Sequence, residues 1–241
     1  MKLLAGTSGF AFKEWKGSFY PDGLKDAEML SYYAGKFPAV EINNTFYRLP
    51  REHVLLDWAA RAPAAFTFTI KASQRITHFA RLKPECAGPL GFLLRATTAL
   101  GHRLGTILFQ LPPNLKKDYD RLRAFLDLLP ADGDRRFTIE FRHESWFDDD
   151  VLEALRERDV ALCVTEQSEF ASPVTATARW GYARLHRLDY DEGALRDWAA
   201  RLRSLAWNEA FVFFKHDEGI GSGPPAVDAF LRAFALSGAA D

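Results

Sequence analysis

The sequence predicts one α/β domain, a (β/α)8 barrel of the TIM type with parallel strands, spanning residues 1–241. Three observations predict it. Short β-branched and aromatic runs alternate with helical stretches along the whole chain, with eight candidate strands. The length of 241 residues is close to that of one such barrel. Inward strand positions read as modest in size (Ala5, Thr67, Thr69, Thr106, Thr138), as a filled narrow barrel requires. A doubly wound open sheet shares the rhythm, but the repeat count favours closure. No Gly-x-Gly-x-x-Gly opens a helix after the first strand, so a dinucleotide site has no support.

The candidate strands are residues 3–8, 39–43, 66–71, 105–111, 137–142, 160–165, 182–186 and 211–216. Successive strand side chains point to opposite faces. Val40, Ile42, Phe68, Ile70, Ile139 and Phe141 should therefore face the helices. Their alternates bring Glu41, Lys71, Gln110, Glu140, Arg142 and His186 to the C-terminal mouth, where such barrels keep their chemistry. Helical periodicity covers residues 27–37, 52–61, 84–100, 119–129, 149–158, 192–205 and 225–234. The acids that open the fifth of these suit a helix N-terminus. Residues 169–177 read as the weakest helix of the repeat, with a loop or a single turn as the alternative.

Composition narrows the function classes. Hydrophobic residues make up 48%, and 20 Phe with 6 Trp supply a large core. A net charge of −1 argues against a surface built wholly to grip nucleic acid. Two cysteines, Cys86 and Cys163, lack metal-type spacing and read as free thiols in a reduced compartment. The apolar stretch after Met1-Lys2 is too short for a signal-peptide core, and no run approaches a membrane span. A cytoplasmic location is the expectation. Nothing in the sequence sets an oligomeric state.

Glu41, Glu140 and Lys71 form the candidate catalytic set. Two carboxylates facing one cavity run acid/base chemistry when their environments separate their pKa values. Lys71 and Arg142 are the cations expected to hold them ionised. The competing reading is an internal ion-pair network that only satisfies buried charge. Lys71, Arg142, Arg184 and His186 outnumber the glutamates, which suits a carboxylate or phosphate ligand. Candidate substrate-binding residues are Thr7, Ser8, Asn43, Tyr47, Gln110, Arg142, His143, Trp146, Arg184 and His186. Trp15, Phe19, Tyr20, Phe46, Tyr47, Trp146 and Phe147 are candidates for an aromatic rim. Gly6-Thr7-Ser8-Gly9 offers amides and hydroxyls to an anion, and residues 219–223 place a second glycine-rich stretch after the last strand. His186, His216, Asp217, Glu41 and Glu140 are N/O donors without metal-ligand spacing, so neither metal nor other cofactor is predicted.

Several ordered motifs add a resemblance. They are Gly6-Thr-Ser-Gly-Phe-Ala-Phe-Lys-Glu-Trp-Lys-Gly-Ser-Phe-Tyr-Pro21, Val40-Glu-Ile-Asn-Asn-Thr-Phe-Tyr-Arg-Leu-Pro50, Thr77-His78 with Arg81-Leu82, Leu108-Phe-Gln-Leu-Pro-Pro113, and Glu140-Phe-Arg-His-Glu-Ser-Trp-Phe147. Together they resemble the YecE-like family, the domain of unknown function 72, over residues 3 to 235. The resemblance implies a TIM-barrel fold and no established activity. Members commonly follow the last strand's aromatic pair with two asparagines and an acid. This chain instead has Lys215-His216-Asp217-Glu218.

Two function classes follow. The first is an enzyme doing metal-independent acid/base chemistry, as a hydrolase, isomerase or lyase, on a small polar ligand that is anionic or sugar-like. The second, less favoured, is a non-catalytic nucleotide or nucleic-acid binding protein using a cationic, aromatic-rimmed mouth. No membrane partner is expected.

Overall fold

A computed structural model describes residues 1–131, 133, 135–216 and 222–237. Eight parallel strands form the barrel: β1 (Lys2–Thr7), β2 (Ala39–Ile42), β3 (Thr67–Lys71), β4 (Leu104–Gln110), β5 (Phe137–Glu140), β6 (Ala161–Gln167), β8 (Trp180–Leu185) and β9 (Glu209–Phe214). Their order is β1-β9-β8-β6-β5-β4-β3-β2. The helices around them are α1 (Met29–Ala34), α2 (Glu52–Arg61), α3 (Ala87–Thr97), α4 (Tyr119–Asp127), α5 (Asp149–Arg156), α6 (Glu192–Arg203) and α7 (Gly223–Ser237). After β6 the chain forms no helix. A short strand β7 (Phe170–Ala171) folds back antiparallel on β6, in the segment expected to be the weakest helix or else a loop or turn.

Strand alternation divides the apolar residues into two cores. Val40, Ile42, Phe68, Ile70, Ile139 and Phe141 pack outward with helix residues such as Leu55, Leu93 and Phe125. Leu4, Ala39, Leu108, Cys163, Tyr182, Phe211 and Phe213 fill the barrel interior. Thr106 Oγ1 and Thr138 Oγ1 meet at 3.1 Å. Ala5, expected inward, belongs to the outer core instead. Leu4 takes the inward place, because a one-residue shift of phase exchanges the faces of a strand.

The barrel closes at an unusual seam. β1 and β2 meet through one bridge, between Ser8 and Glu41. Elsewhere along the seam the Tyr33 hydroxyl of α1 stands in for the ladder. It accepts from the Thr7 amide at 2.7 Å and lies 3.2 Å from the Ala39 carbonyl, to which it donates. Gly6 permits this approach, since a Cβ there would sit 1.9 Å from the Ala39 oxygen. Both cysteines are free and buried. Among the described residues no helix is long and apolar enough to cross a membrane.

Candidate functional site

The inward residues at the C-terminal ends of the strands form two levels. The lower level is a closed ion-pair network around Arg184 of β8. Its Nη1 donates to Glu140 Oε2 at 2.7 Å, and its Nη2 donates to Glu41 Oε1 at 3.0 Å. Gln110 Nε2 donates to both Glu140 oxygens, at 2.9 and 3.0 Å. Glu41 also accepts from Ser8 Oγ at 2.7 Å and from the Tyr182 hydroxyl at 2.5 Å. Both glutamates are fully buried, at 0% exposure, and neither lines the cavity above. Burial pushes the Glu41 carboxyl up, but Arg184, Ser8 and Tyr182 together outweigh it and hold the group below its ordinary value.

The upper level opens into a cavity of about 510 Å³. Lys71 and Arg184 lie at its base, with Asn43, Phe46, Tyr47 and His186 around them. The Lys71 ammonium stands 4.6 Å from the centre of the Phe46 ring. Burial first, then the nearby Arg184, push its pKa down to about 8, against the pull of Glu41 and Glu140. His186 Nε2 lies 3.0 Å from Ser8 Oγ. The single Ser8 proton goes to ionised Glu41, so Nε2 must be the donor and Nδ1 the acceptor nitrogen. Burial, followed by Arg184, Lys71 and Lys215, keeps His186 well below its ordinary pKa, and hence neutral.

The structure corrects several expectations. Arg184, rather than Lys71 and Arg142, is the direct partner of both carboxylates. Arg142 instead donates to Gln167 Oε1 at 3.0 Å. Thr7 turns away from the mouth, because odd positions of β1 face the helices; its hydroxyl bonds the Gly9 carbonyl and Tyr33. Trp146 is a core residue, stacked on Phe141 with its indole N–H donating to the Leu115 carbonyl. His143 caps a short turn by accepting from the Ser145 amide. Gln110 is buried under Glu140 rather than offered to a ligand. The Gly6–Gly9 cradle is already used, with the Ser8 and Gly9 amides bonded to Phe214 and Thr7 carbonyls. Of the expected aromatic rim, Phe46 and Tyr47 line the cavity, while Trp15 and Tyr20 are buried anchors and Phe19 packs against the outer core. Asp217, Glu218 and residues 219–221 lie outside the described residues. Among the described residues no group of three or more His, Cys, Asp or Glu is placed to hold a metal.

Two contributors escaped the sequence reading. Tyr182 shares the inward face with Arg184 and His186, and the period of two would have revealed it. Phe12 reaches the cavity from the first loop and stacks on His216 at 4.3 Å, a contact between distant segments with no local sequence signal.

The family described as "Protein of unknown function DUF72" matches residues 4–240. The chain belongs to the DUF72 family. It is 34% identical over 119 residues to UPF0759 protein YecE of Escherichia coli K12, covering 49% of this chain and 43% of YecE. UPF0759 protein YunF of Bacillus subtilis is 28% identical over 137 residues, covering 54% of this chain and 48% of YunF. The matched stretches thus span under half the length of these curated relatives. Among solved structures, a DUF72 family protein from Thermotoga maritima superposes with a TM-score of 0.80 at 24% identity, covering 98% of this chain and 100% of that one. One from Enterococcus faecalis gives 0.76 at 17% identity, covering 98% of each. These likenesses establish the DUF72 barrel fold.

Proposed function

We propose that this DUF72 protein is an enzyme acting on a small anionic molecule in the mouth cavity, with Lys71 as its proton-transfer group. One observation carries this: the Lys71 ammonium lines the cavity against the Phe46 ring with no ion pair among the described residues, an environment of burial and nearby Arg184 that pushes its pKa down to about 8. A group so tuned exchanges protons near neutral pH, which an ordinary lysine does not. Around Lys71 and His186 the cations Arg142, Arg184 and Lys215 outnumber the anions Glu41 and Glu140, an environment suited to a carboxylate or phosphate. Glu41 and Glu140 serve as positioning residues: they fix Arg184 and set the field on Lys71 without touching substrate.

Thermal-shift and binding measurements on the full chain test this, using small carboxylates, phosphates and neutral sugars. Carboxylates or phosphates should raise Tm, neutral sugars should not, and Lys71→Met should abolish the shift. Binding of oligonucleotides that weakens steeply with salt, without binding of any small anion, would overturn the proposal.

A further inference from the structure

We infer that the Lys71 amine condenses with the carbonyl of a small 2-oxo acid, forming an imine at the base of the mouth cavity. This rests on the anion-binding reading above and names its substrate class. The Lys71 ammonium has no hydrogen bond or ion pair among the described residues; its contact is the Phe46 ring face. That sets it apart from Arg184, Glu41 and Glu140 directly beneath, which are bound to one another. Its nitrogen therefore gives up no ion pair or hydrogen bond in the described structure when it loses its proton. Burial and a neighbouring cation together are a recognised way to make a lysine nucleophilic.

The surroundings suit a carbonyl flanked by a carboxylate. With the carbonyl carbon at the Lys71 nitrogen, an adjacent carboxylate sits in the field of Arg184, Arg142 and Lys215. Asn43 borders the same cavity, and its buried Oδ1 has no hydrogen-bond partner among the described residues, leaving an acceptor for the hydroxyl of the carbinolamine. The amine adds to the carbonyl carbon, forming the C–N bond while the C=O π pair becomes a hydroxyl. The carbinolamine then loses that hydroxyl and the nitrogen-bound proton as one water, leaving C=N. His186, neutral and joined through Ser8 to Glu41, is the cavity group available to hand protons between oxygen and nitrogen during the dehydration.

Reductive trapping tests the inference on the full-length protein. Pyruvate, glyoxylate and 2-oxoglutarate are incubated separately with sodium cyanoborohydride, followed by intact mass and peptide mapping. The expected result is one reduced adduct per chain, mapped to Lys71, whose rate of formation rises as pH passes through about 8. Lys71→Arg keeps the charge and should lose the adduct. Mapping the wild-type protein keeps the test valid if that variant folds poorly. Adducts on exposed lysines such as Lys2 and Lys13 at rates equal to Lys71 would overturn the inference. The same acids are also assayed without reductant. Binding without a Lys71 adduct would defeat the imine and leave the anion site standing. Failure of every small carboxylate and phosphate to bind would defeat both.

Discussion

The two levels of the barrel mouth are built from the same kinds of residue and differ in how they are satisfied. Below, Glu41, Glu140, Arg184, Tyr182, Gln110 and Ser8 engage one another, with all four carboxylate oxygens accepting hydrogen bonds. Above, among the described residues, the Lys71 ammonium stacks on an aromatic ring without a hydrogen bond or ion pair, and Asn43 Oδ1 has no hydrogen-bond partner. These buried charges of the lower level are paired, although Arg184 Nε has no hydrogen-bond partner among the described residues, and removing one member would strand the others. A titratable group at a cavity with its pKa displaced and no ion pair marks a candidate functional site. The paired carboxylates thus resemble an acid and a base by residue type, yet in the proposed function the lysine above them is the reacting group.

Substitutions should separate the levels. The largest effect is expected at Arg184. Arg184→Leu leaves two buried carboxylates without their cation and should cost about 3–5 kcal/mol, read from urea unfolding. A loss under about 1 kcal/mol would mean that the lower level does not hold the barrel together. Glu140→Gln should destabilise in the same direction, because Arg184 keeps Glu41 but loses a buried counter-charge. Tyr33→Phe removes the hydroxyl that spans the β1–β2 seam and should cost about 1–3 kcal/mol through the stranded Thr7 amide and Ala39 carbonyl. Lys71→Met should lie within about 1 kcal/mol of wild type or above it at pH 7, since the fold disfavours this ammonium. It should nonetheless lose ligand binding.

A pH series sharpens the same contrast. The folded protein keeps His186 neutral, whereas the unfolded chain binds a proton there near pH ~6.5. Unfolding therefore takes up a proton below that pH, and stability present above it is lost as pH falls. His78, lowered by burial and by Lys71, Arg142 and Arg81, adds to the same window. His186→Asn should flatten the fall in stability between about pH 6.5 and 5 without removing it. An unchanged slope would show that His186 is protonated in the folded state.

Much of this was legible in the sequence because strands repeat every two residues. That period alone places Glu41, Lys71 and Glu140 inward and Val40, Phe68 and Ile139 outward. It failed in β1, where Ala5 and Thr7 share the outer face, because a short run of small residues carries little contrast between faces. Partner choice was not legible either. Arg142 and Arg184 both end a strand's polar pattern, and only the folded register shows that Arg184 points inward between the glutamates. Trp146 and His143 lie beyond the last strand residue, where chain direction is set by packing rather than by periodicity. Arg81 and Leu82, two residues with positive φ that close a π-helical turn after β3, likewise depend on the surrounding fold.

The separation of levels is tested most directly by the ionisation of Lys71 itself, followed by NMR through its ε-methylene resonances across a pH titration of the intact protein. The account predicts a midpoint at about 8, rising toward the ordinary lysine value in Arg184→Leu as the carboxylates lose their cation. A wild-type midpoint near 10.5, the value of an unperturbed lysine, would contradict it.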